Sequence, residues 1–249
     1  MKSNQKTASE REKLKNLHGM KKIRYIWDYY KLPLLVLCIL LYIICYSFYR
    51  HFTHKEPILY TALVNVSVSE TLSRQLSTDF LDYLETDTSK RTIQLYEGLY
   101  LTDDDTNPYH EYTYASRMKI LAAIDSEQLD VVLMNKEAFD AFSQNGYLCN
   151  LEELFSDCDA ALYDQLKTCL VSNTIILEDN SVELQLDPSV TYQAVTEEQP
   201  LGLDISRAGL LSGAGFDDTV YLGIIANSTK KETAINYIKY LKVPAEVEQ

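Results

Sequence analysis

The pattern of apolar and polar positions begins with one uninterrupted apolar segment. From Leu32 to Tyr49 the chain reads LPLLVLCILLYIICYSFY, 18 residues without a charged side chain. A helix of that length rises about 27 Å, which is enough to cross the hydrocarbon core of a bilayer. The segment continues into bulky aromatic residues and shows no small-residue cleavage site. The pattern therefore predicts an uncleaved transmembrane helix over residues 32–49 instead of a signal peptide.

After a short polar linker (residues 50–57), the pattern alternates between the periods typical of strands and of helices. Strands are predicted at 58–66, 91–101, 129–134 and 219–226, with two more inside 172–186 across a turn at Asp179-Asn180. Helices are predicted after a Ser67–Glu70 capping box, over 114–124, from Asn135 to Gly146, over 160–170, and from a Thr229–Glu232 capping box to Leu241. This alternation predicts an α/β domain over residues 58–249, with a mixed sheet and helices on its faces.

The charge of the chain changes sign across the apolar segment. Residues 1–31 carry nine Lys or Arg and three acidic residues, whereas the rest carries 14 basic and 33 acidic residues. Basic flanks stay on the cytoplasmic side of a membrane. We therefore expect a single-pass protein of the cell membrane, with a cytoplasmic basic tail over residues 1–31 and an extracellular C-terminal domain. The net charge of −19 after residue 31 argues against nucleic acid as a partner.

The residue types and spacings show no recognisable catalytic or metal motif. Four histidines are scattered over the chain, and neither a glycine-rich phosphate loop nor a G-x-S-x-G segment occurs. We therefore expect no enzymatic activity, no catalytic residues, no metal site and no cofactor. Cys149, Cys158 and Cys169 lie on the expected oxidising side. A Cys149–Cys158 disulfide and three free thiols both remain open.

Two segments carry a family resemblance. These are LDVVLMNKEAFDAFSQNGYLCNLEELF, residues 129–155, and VYLGIIANSTKKETAINYIKYLK, residues 220–242. Together they resemble the type II periplasmic, or extracellular, solute-binding proteins of ABC transporters. The resemblance implies a reduced, membrane-anchored relative with a type II binding-protein fold. The domain has room for one lobe plus a small insertion near residues 156–215, whereas family members usually have two lobes.

The resemblance also suggests where a ligand would bind. In that family, ligand contacts lie at the carboxyl ends of strands and the starts of the following helices. At the positions that match the family pattern, the resemblance implies that Asn135, Glu137, Asn227 and Ser228 contact the ligand. Tyr96, Tyr100 and Tyr221 could line the same edge of the sheet. Each polar residue also has an ordinary explanation as a helix cap, and each tyrosine as a half-buried strand residue.

The sequence thus predicts a non-catalytic, membrane-anchored extracytoplasmic binding protein of the bacterial envelope. It would bind a partner protein or a small ligand in an envelope or transporter complex, with the lipid bilayer and a membrane protein as partners. The alternative is a substrate receptor that delivers a solute to an ABC permease. A deep pocket with converging polar groups would favour solute capture, and an exposed tyrosine-bearing patch would favour partner binding.

Overall fold

The computed structural model describes residues 20–104, 107–187, 189–211, 216 and 218–243. Side chains are not described for residues 20–26, 28–30, 51 and 52. Most of the predicted basic tail therefore lies outside the described residues, as does Pro244. The backbone divides into two compact units, Met1–His54 and Lys55–Gln249. Each unit is described by itself below.

The described part of the first unit is one long helix, α1 (Met20–Thr53), with Pro33 inside it. Within α1, the segment Lys31–Arg50 is long and apolar enough to cross a membrane, and none of it is buried in protein. The helix extends past the predicted segment at both ends. It includes residues 50–53, which the sequence pattern assigned to a linker, since no helix-breaking residue occurs before His54.

The second unit is an α/β domain whose sheet has six strands. The strands are β1 (Glu56–Val64), β2 (Arg91–Leu99), β3 (Val131–Met134), β4 (Leu170–Asp179), β5 (Ala194–Asp204) and β6 (Tyr221–Ile224). The helices are α2 (Glu70–Arg74), a π-helical turn (Gln75–Asp79), α3 (Phe80–Tyr83), α4 (His110–Asp125), α5 (Lys136–Gln144), α6 (Leu151–Cys158), α7 (Ala160–Leu166), α8 (Ser181–Leu186) and α9 (Lys231–Leu241).

The strand order is β2-β1-β3-β6-β5-β4. Strand β1 pairs in parallel with both β2 and β3, whereas β6 runs antiparallel to β3 and β5, and β4 runs antiparallel to β5. The sheet is therefore mixed, as the sequence predicts. The carboxyl ends of β1, β2 and β3 share one edge, which we call the carboxyl edge. The opposite edge is called the amino edge.

Alternate residues of the central strands feed two apolar cores, one on each face of the sheet. On β3, Val131 and Leu133 enter the first core, and Val132 and Met134 enter the second. Helices α3, α6, α7 and α9 supply the first core, and α4 and α5 supply the second. Because all four residues of β3 are buried, the strand reads as a continuous apolar run, as expected for a strand covered on both faces.

The structure corrects several element boundaries. Ser69, not Ser67, caps α2 by accepting a hydrogen bond from the Leu72 amide. The last helix begins without a side-chain cap at Lys230, so the predicted capping role of Thr229 is wrong. Both helices start one or two residues later than the sequence predicts. Helix ends commonly differ by that much between methods of assignment.

The largest correction concerns residues 172–204. The sequence pattern placed two strands inside 172–186, but β4 there pairs with β5 (Ala194–Asp204), and α8 lies between them. Strand β5 begins with AVTEE, whose five residues are all exposed, so the start of the strand has no apolar alternation to signal it.

Candidate functional site

A cleft of about 620 Å³ opens at the carboxyl edge, where β1, β2 and β3 end. We call it the carboxyl-edge cleft. Its lining residues are Asn65, Val66, Ser67, Gly98, Leu99, Tyr100, Tyr109, Tyr112, Asn135 and Glu137. Parallel strands bring the loops that follow them together at their carboxyl ends, and ligands commonly bind there in α/β proteins.

Asn65 joins three of the chain segments that form the cleft. It follows β1 with a left-handed backbone (φ 57°), a conformation that asparagine tolerates better than most residues. Its side-chain oxygen accepts a hydrogen bond from the Leu101 amide at 2.8 Å, and its side-chain nitrogen donates to the Leu101 carbonyl at 2.6 Å. The same nitrogen donates to Asn135 Oδ1 at 3.1 Å. One side chain thus joins the ends of β1 and β3 to the loop after β2.

Asn135 and Glu137 stand at the start of α5. Asn135 caps the helix, its Oδ1 accepting from the Ala138 amide at 3.0 Å, as the sequence predicts. Glu137 Oε1 accepts from the Thr102 hydroxyl at 2.6 Å and from the Asp103 amide at 3.2 Å. Both predicted residues therefore lie in the cleft, and both also have structural partners.

Three tyrosines, Tyr100, Tyr109 and Tyr112, line the cleft. The Tyr100 hydroxyl accepts a hydrogen bond from Asn107 Nδ2 at 3.0 Å, and the Tyr112 hydroxyl donates to the Gly98 carbonyl. Tyr109 is 67% exposed and Tyr112 is 50% exposed. The side chains of Tyr109 and Tyr112 are therefore accessible to a ligand that enters from solvent. Glu137 is the single charged residue among those that line the described cleft.

A second cavity of about 510 Å³ shares Asn135 and Glu137 with the carboxyl-edge cleft. It is also lined by Lys136, Asp140, Asp218, Thr219 and Tyr221. The Tyr221 ring stacks on Phe139 with centroids 4.8 Å apart. Since β6 runs antiparallel to β3, the beginning of β6 lies beside the end of β3, which brings Tyr221 close to Asn135 as expected.

The other three predicted site residues lie elsewhere. Asn227 and Ser228 follow β6, so the antiparallel direction of that strand carries them to the amino edge, away from Asn135. The expectation that they share one site with Asn135 and Glu137 is therefore wrong. Tyr96 lies within β2 and packs against the second core, with Lys119 Nζ 5.3 Å from its ring centroid. It does not line the cleft.

Ser228 takes part in a hydrogen-bond network around a buried carboxylate, and Asn227 makes a separate hydrogen bond to α4. The Asp130 side chain is fully buried, and its oxygens accept from the Ser228 hydroxyl at 2.6 Å and from the Tyr60 amide at 2.8 Å. Lys230 Nζ lies 4.0 Å from Asp130 Oδ2 and donates to the Pro57 carbonyl at 2.9 Å. Asn227 donates to the Ile124 carbonyl. This network ties β1, β3 and the chain after β6 together, and it serves the fold.

Sequence reasoning missed Asn65, Tyr109 and Tyr112. The predicted first strand extended to residue 66, which placed Asn65 inside it. An asparagine directly after a buried apolar run is a signal for a left-handed strand end, and it could have identified Asn65. The two tyrosines precede or begin α4, where no local pattern indicates that they face a cleft.

The cysteines are free thiols in the structure, so the Cys149–Cys158 disulfide that the sequence left open is not present in it. Cys158 is exposed at the end of α6, whereas Cys149 packs against the first core. Burial raises the pKa of the Cys149 thiol to about 11. Free thiols were the alternative that the sequence left open.

We expect alkylation to distinguish these two thiols. At pH 8 a thiol whose pKa is about 11 is almost entirely protonated, and the thiolate is the form that alkylating reagents attack. Iodoacetamide should therefore modify the exposed Cys158 at least tenfold faster than Cys149, as measured by mass spectrometry of peptides from the folded, reduced protein. Urea should abolish the difference. Equal rates in the folded protein would contradict the buried environment of Cys149.

Groups of three or more His, Cys, Asp or Glu side chains placed to hold a metal ion are absent from the part of the chain that the structure describes. The carboxyl-edge cleft offers amides, a carboxylate and phenol rings. Such a set can bind a ligand through hydrogen bonds, charge and ring contacts.

Comparisons with known proteins add little to this geometry. No protein-family model matches the chain, and a comparison with curated proteins finds no match. Among solved structures, a Corynebacterium glutamicum OxyR C206 mutant is similar, with 10% sequence identity over 91% of this chain and 75% of that chain. Its TM-score is 0.27, and a likeness that slight carries no argument about fold or function.

Proposed function

We propose that the protein is a non-catalytic, membrane-anchored binding protein whose single α/β lobe lies outside the cytoplasm and binds a ligand in the carboxyl-edge cleft. The lobe would be a reduced relative of the type II solute-binding proteins. The observation that carries the proposal is the convergence of Asn65, Asn135, Glu137 and three tyrosines at the ends of three parallel strands.

The apolar segment of α1 and the charge distribution support the proposed anchor and location. Segment Lys31–Arg50 is apolar, unburied by protein and preceded by a basic sequence, whereas the rest of the chain is strongly acidic. Under the positive-inside rule, such a protein keeps its N-terminus in the cytoplasm and its folded domain outside.

The residues that line the cleft favour a ligand that carries a positive charge. The described lining of the cleft contains Glu137, three tyrosines and no Lys or Arg, and tyrosine rings attract cations through their π faces. The two hydrogen bonds that Glu137 accepts from protein groups both end on Oε1. Oε2 can therefore accept from an ammonium or guanidinium group. A small organic cation is the ligand class that fits this combination.

Ligand-induced thermal stabilisation tests the proposal. The full-length protein in detergent would be melted with arginine, spermidine or choline, and in parallel with succinate or glucose. A ligand that binds only the folded state raises the melting temperature. We expect at least one of the cations to raise it and neither of the other probes to do so. Glu137→Gln should weaken the binding of that cation about tenfold, because it removes one charge-assisted hydrogen bond.

A matched control separates the cleft from the acidic surface as a whole. Glu137→Gln keeps the Oε1 acceptor for Thr102 and Asp103, so the loop stays in place. Glu232→Gln removes an exposed carboxylate from α9 and should leave affinity unchanged. No stabilisation by any cation, equal stabilisation by succinate, or equal losses in the two variants would refute the proposed ligand class.

A further inference from the structure

The sheet continues beyond its body as a two-stranded arm. Strand β5 pairs with β6 only at Leu203 and Asp204, whereas its pairing with β4 continues to Asp179 and Ala194. We call residues 173–199 the β4–β5 arm. An isolated two-stranded ribbon is only marginally stable in water. The arm therefore depends on additional contacts at its base and at its tip.

Both ends of the arm are held by side-chain hydrogen bonds. At the base, Asn173 Nδ2 donates to Asp140 and Ser143 of α5, at 2.8 and 3.1 Å. At the tip, Asn180 Oδ1 accepts from the Gln193 amide at 2.7 Å, and Asn180 Nδ2 donates to the Thr191 carbonyl at 3.0 Å. The two Asn180 hydrogen bonds therefore hold together the two chain segments that flank α8.

That surface exposes large apolar side chains. Helix α8 has no buried residue. Val182 and Leu186 are one helical turn apart, so they share a face. The exposed apolar residues of the arm and their exposed fractions are Leu177 (53%), Val182 (67%), Leu186 (83%), Tyr192 (48%) and Val195 (57%). Clusters of exposed apolar side chains with polar surroundings mark interaction sites.

The charge around these apolar residues has one sign. No Lys or Arg occurs between Lys167 and Arg207. The acidic residues of the arm are all exposed, and they are Glu178, Asp179, Glu183, Asp187, Glu197 and Glu198. Hydrogen bonds from Ser181 lower the pKa of Asp179, and hydrogen bonds from Ser189 lower the pKa of Asp187. The arm is therefore negatively charged at neutral pH.

We propose that the β4–β5 arm docks a partner protein through a segment of that partner in which Lys or Arg side chains flank apolar ones. Val182 and Leu186 would be covered by the apolar side chains of that segment, and the surrounding carboxylates would pair with its basic ones. Complementary charge of this kind steers association and selects the partner.

The negative charge of the arm favours a basic partner segment over two other binding partners, a second copy of the chain and an anionic membrane. A second copy of the chain, docked arm to arm, would place one all-acidic surface against another, which repels. An anionic membrane surface repels the arm for the same reason. The arm is also separate from the carboxyl-edge cleft in its residues, so this inference does not depend on the ligand proposed for the cleft.

Site-specific photo-crosslinking in native membranes tests the proposal. A benzoylphenylalanine would replace Leu186, the most exposed apolar residue of the arm, in the full-length chain, and the crosslinked peptides would be sequenced. We expect an adduct with a different polypeptide, in a segment where Lys and Arg outnumber acidic residues. Reversing two charges, Glu183→Lys with Glu198→Lys, should lower the adduct yield at least tenfold.

The matched control reverses two exposed acidic residues outside the arm, Asp125→Lys with Glu232→Lys, and should keep the yield. An adduct with a second copy, with lipid or with a segment that has no basic excess would overturn the proposal. Absence of an adduct, or equal yields in both pairs of variants, would overturn it too. Glu137→Gln should leave the yield unchanged, which keeps this test independent of the cleft.

Discussion

Replacing Asp130 with alanine is expected to lower the melting temperature of the folded domain by roughly 10 °C. The fully buried carboxylate accepts hydrogen bonds from the Tyr60 amide and the Ser228 hydroxyl, and Lys230 lies beside it. Its removal leaves buried donors without an acceptor, at a cost in unfolding free energy of about 3–5 kcal/mol. Near-UV circular dichroism of the full-length protein in detergent, which reports on its tyrosines, measures the change.

Asp125→Ala is the control for that prediction. Asp125 is the exposed last residue of α4, where a negative charge faces the negative end of the helix dipole. Its replacement should leave the melting temperature unchanged or slightly higher. Similar small changes in Asp125→Ala and Asp130→Ala would show that the Asp130 network does not hold the sheet together.

Replacing Asn65 with alanine is expected to destabilise the domain by about 3–4 kcal/mol and to loosen the carboxyl-edge cleft. Three hydrogen bonds, two to Leu101 and one to Asn135, are lost at about 1 kcal/mol each. Alanine in the left-handed backbone at this position adds roughly 1 kcal/mol. Urea unfolding measures the loss of stability. The affinity for the cation that binds the unaltered protein reports whether the cleft still binds its ligand.

Asn65→Gly separates the two causes, because glycine accepts the left-handed backbone but makes none of the side-chain hydrogen bonds. We expect Asn65→Gly to be more stable than Asn65→Ala by about 1 kcal/mol. Both variants should weaken ligand binding equally, because both lack the side-chain hydrogen bonds. If both variants bound the cation as tightly as the unaltered protein, Asn65 would have no part in the cleft.

Local interactions made part of the fold predictable from the sequence. The Asn135 cap and the end of α5 at Gly146, with φ 67°, follow from side chains that act within a few residues. The alternation of strands and helices gave the mixed α/β class, because each buried strand carries its own apolar pattern. The apolar segment inside α1 was visible for the same reason.

Long-range pairing explains what the sequence left undetermined. Asn227 and Ser228 were expected near Asn135 because they follow a strand, but only the antiparallel pairing of β6 with β3 decides which edge they reach. The first five residues of strand β5 are exposed, and their place in the sheet depends on pairing with β4. The cleft gains Tyr109 and Tyr112 from the start of α4, a position that depends on packing against distant strands.

The side of the membrane on which the folded domain lies tests the account most directly. Cys158 is an exposed free thiol in that domain. A full-length variant that retains only this cysteine would be treated in intact cells with a membrane-impermeant maleimide. The account predicts labelling of Cys158 without permeabilisation, and labelling of a Ser3→Cys variant without other cysteines only after it. Labelling of Cys158 only in permeabilised cells would contradict an extracytoplasmic binding domain.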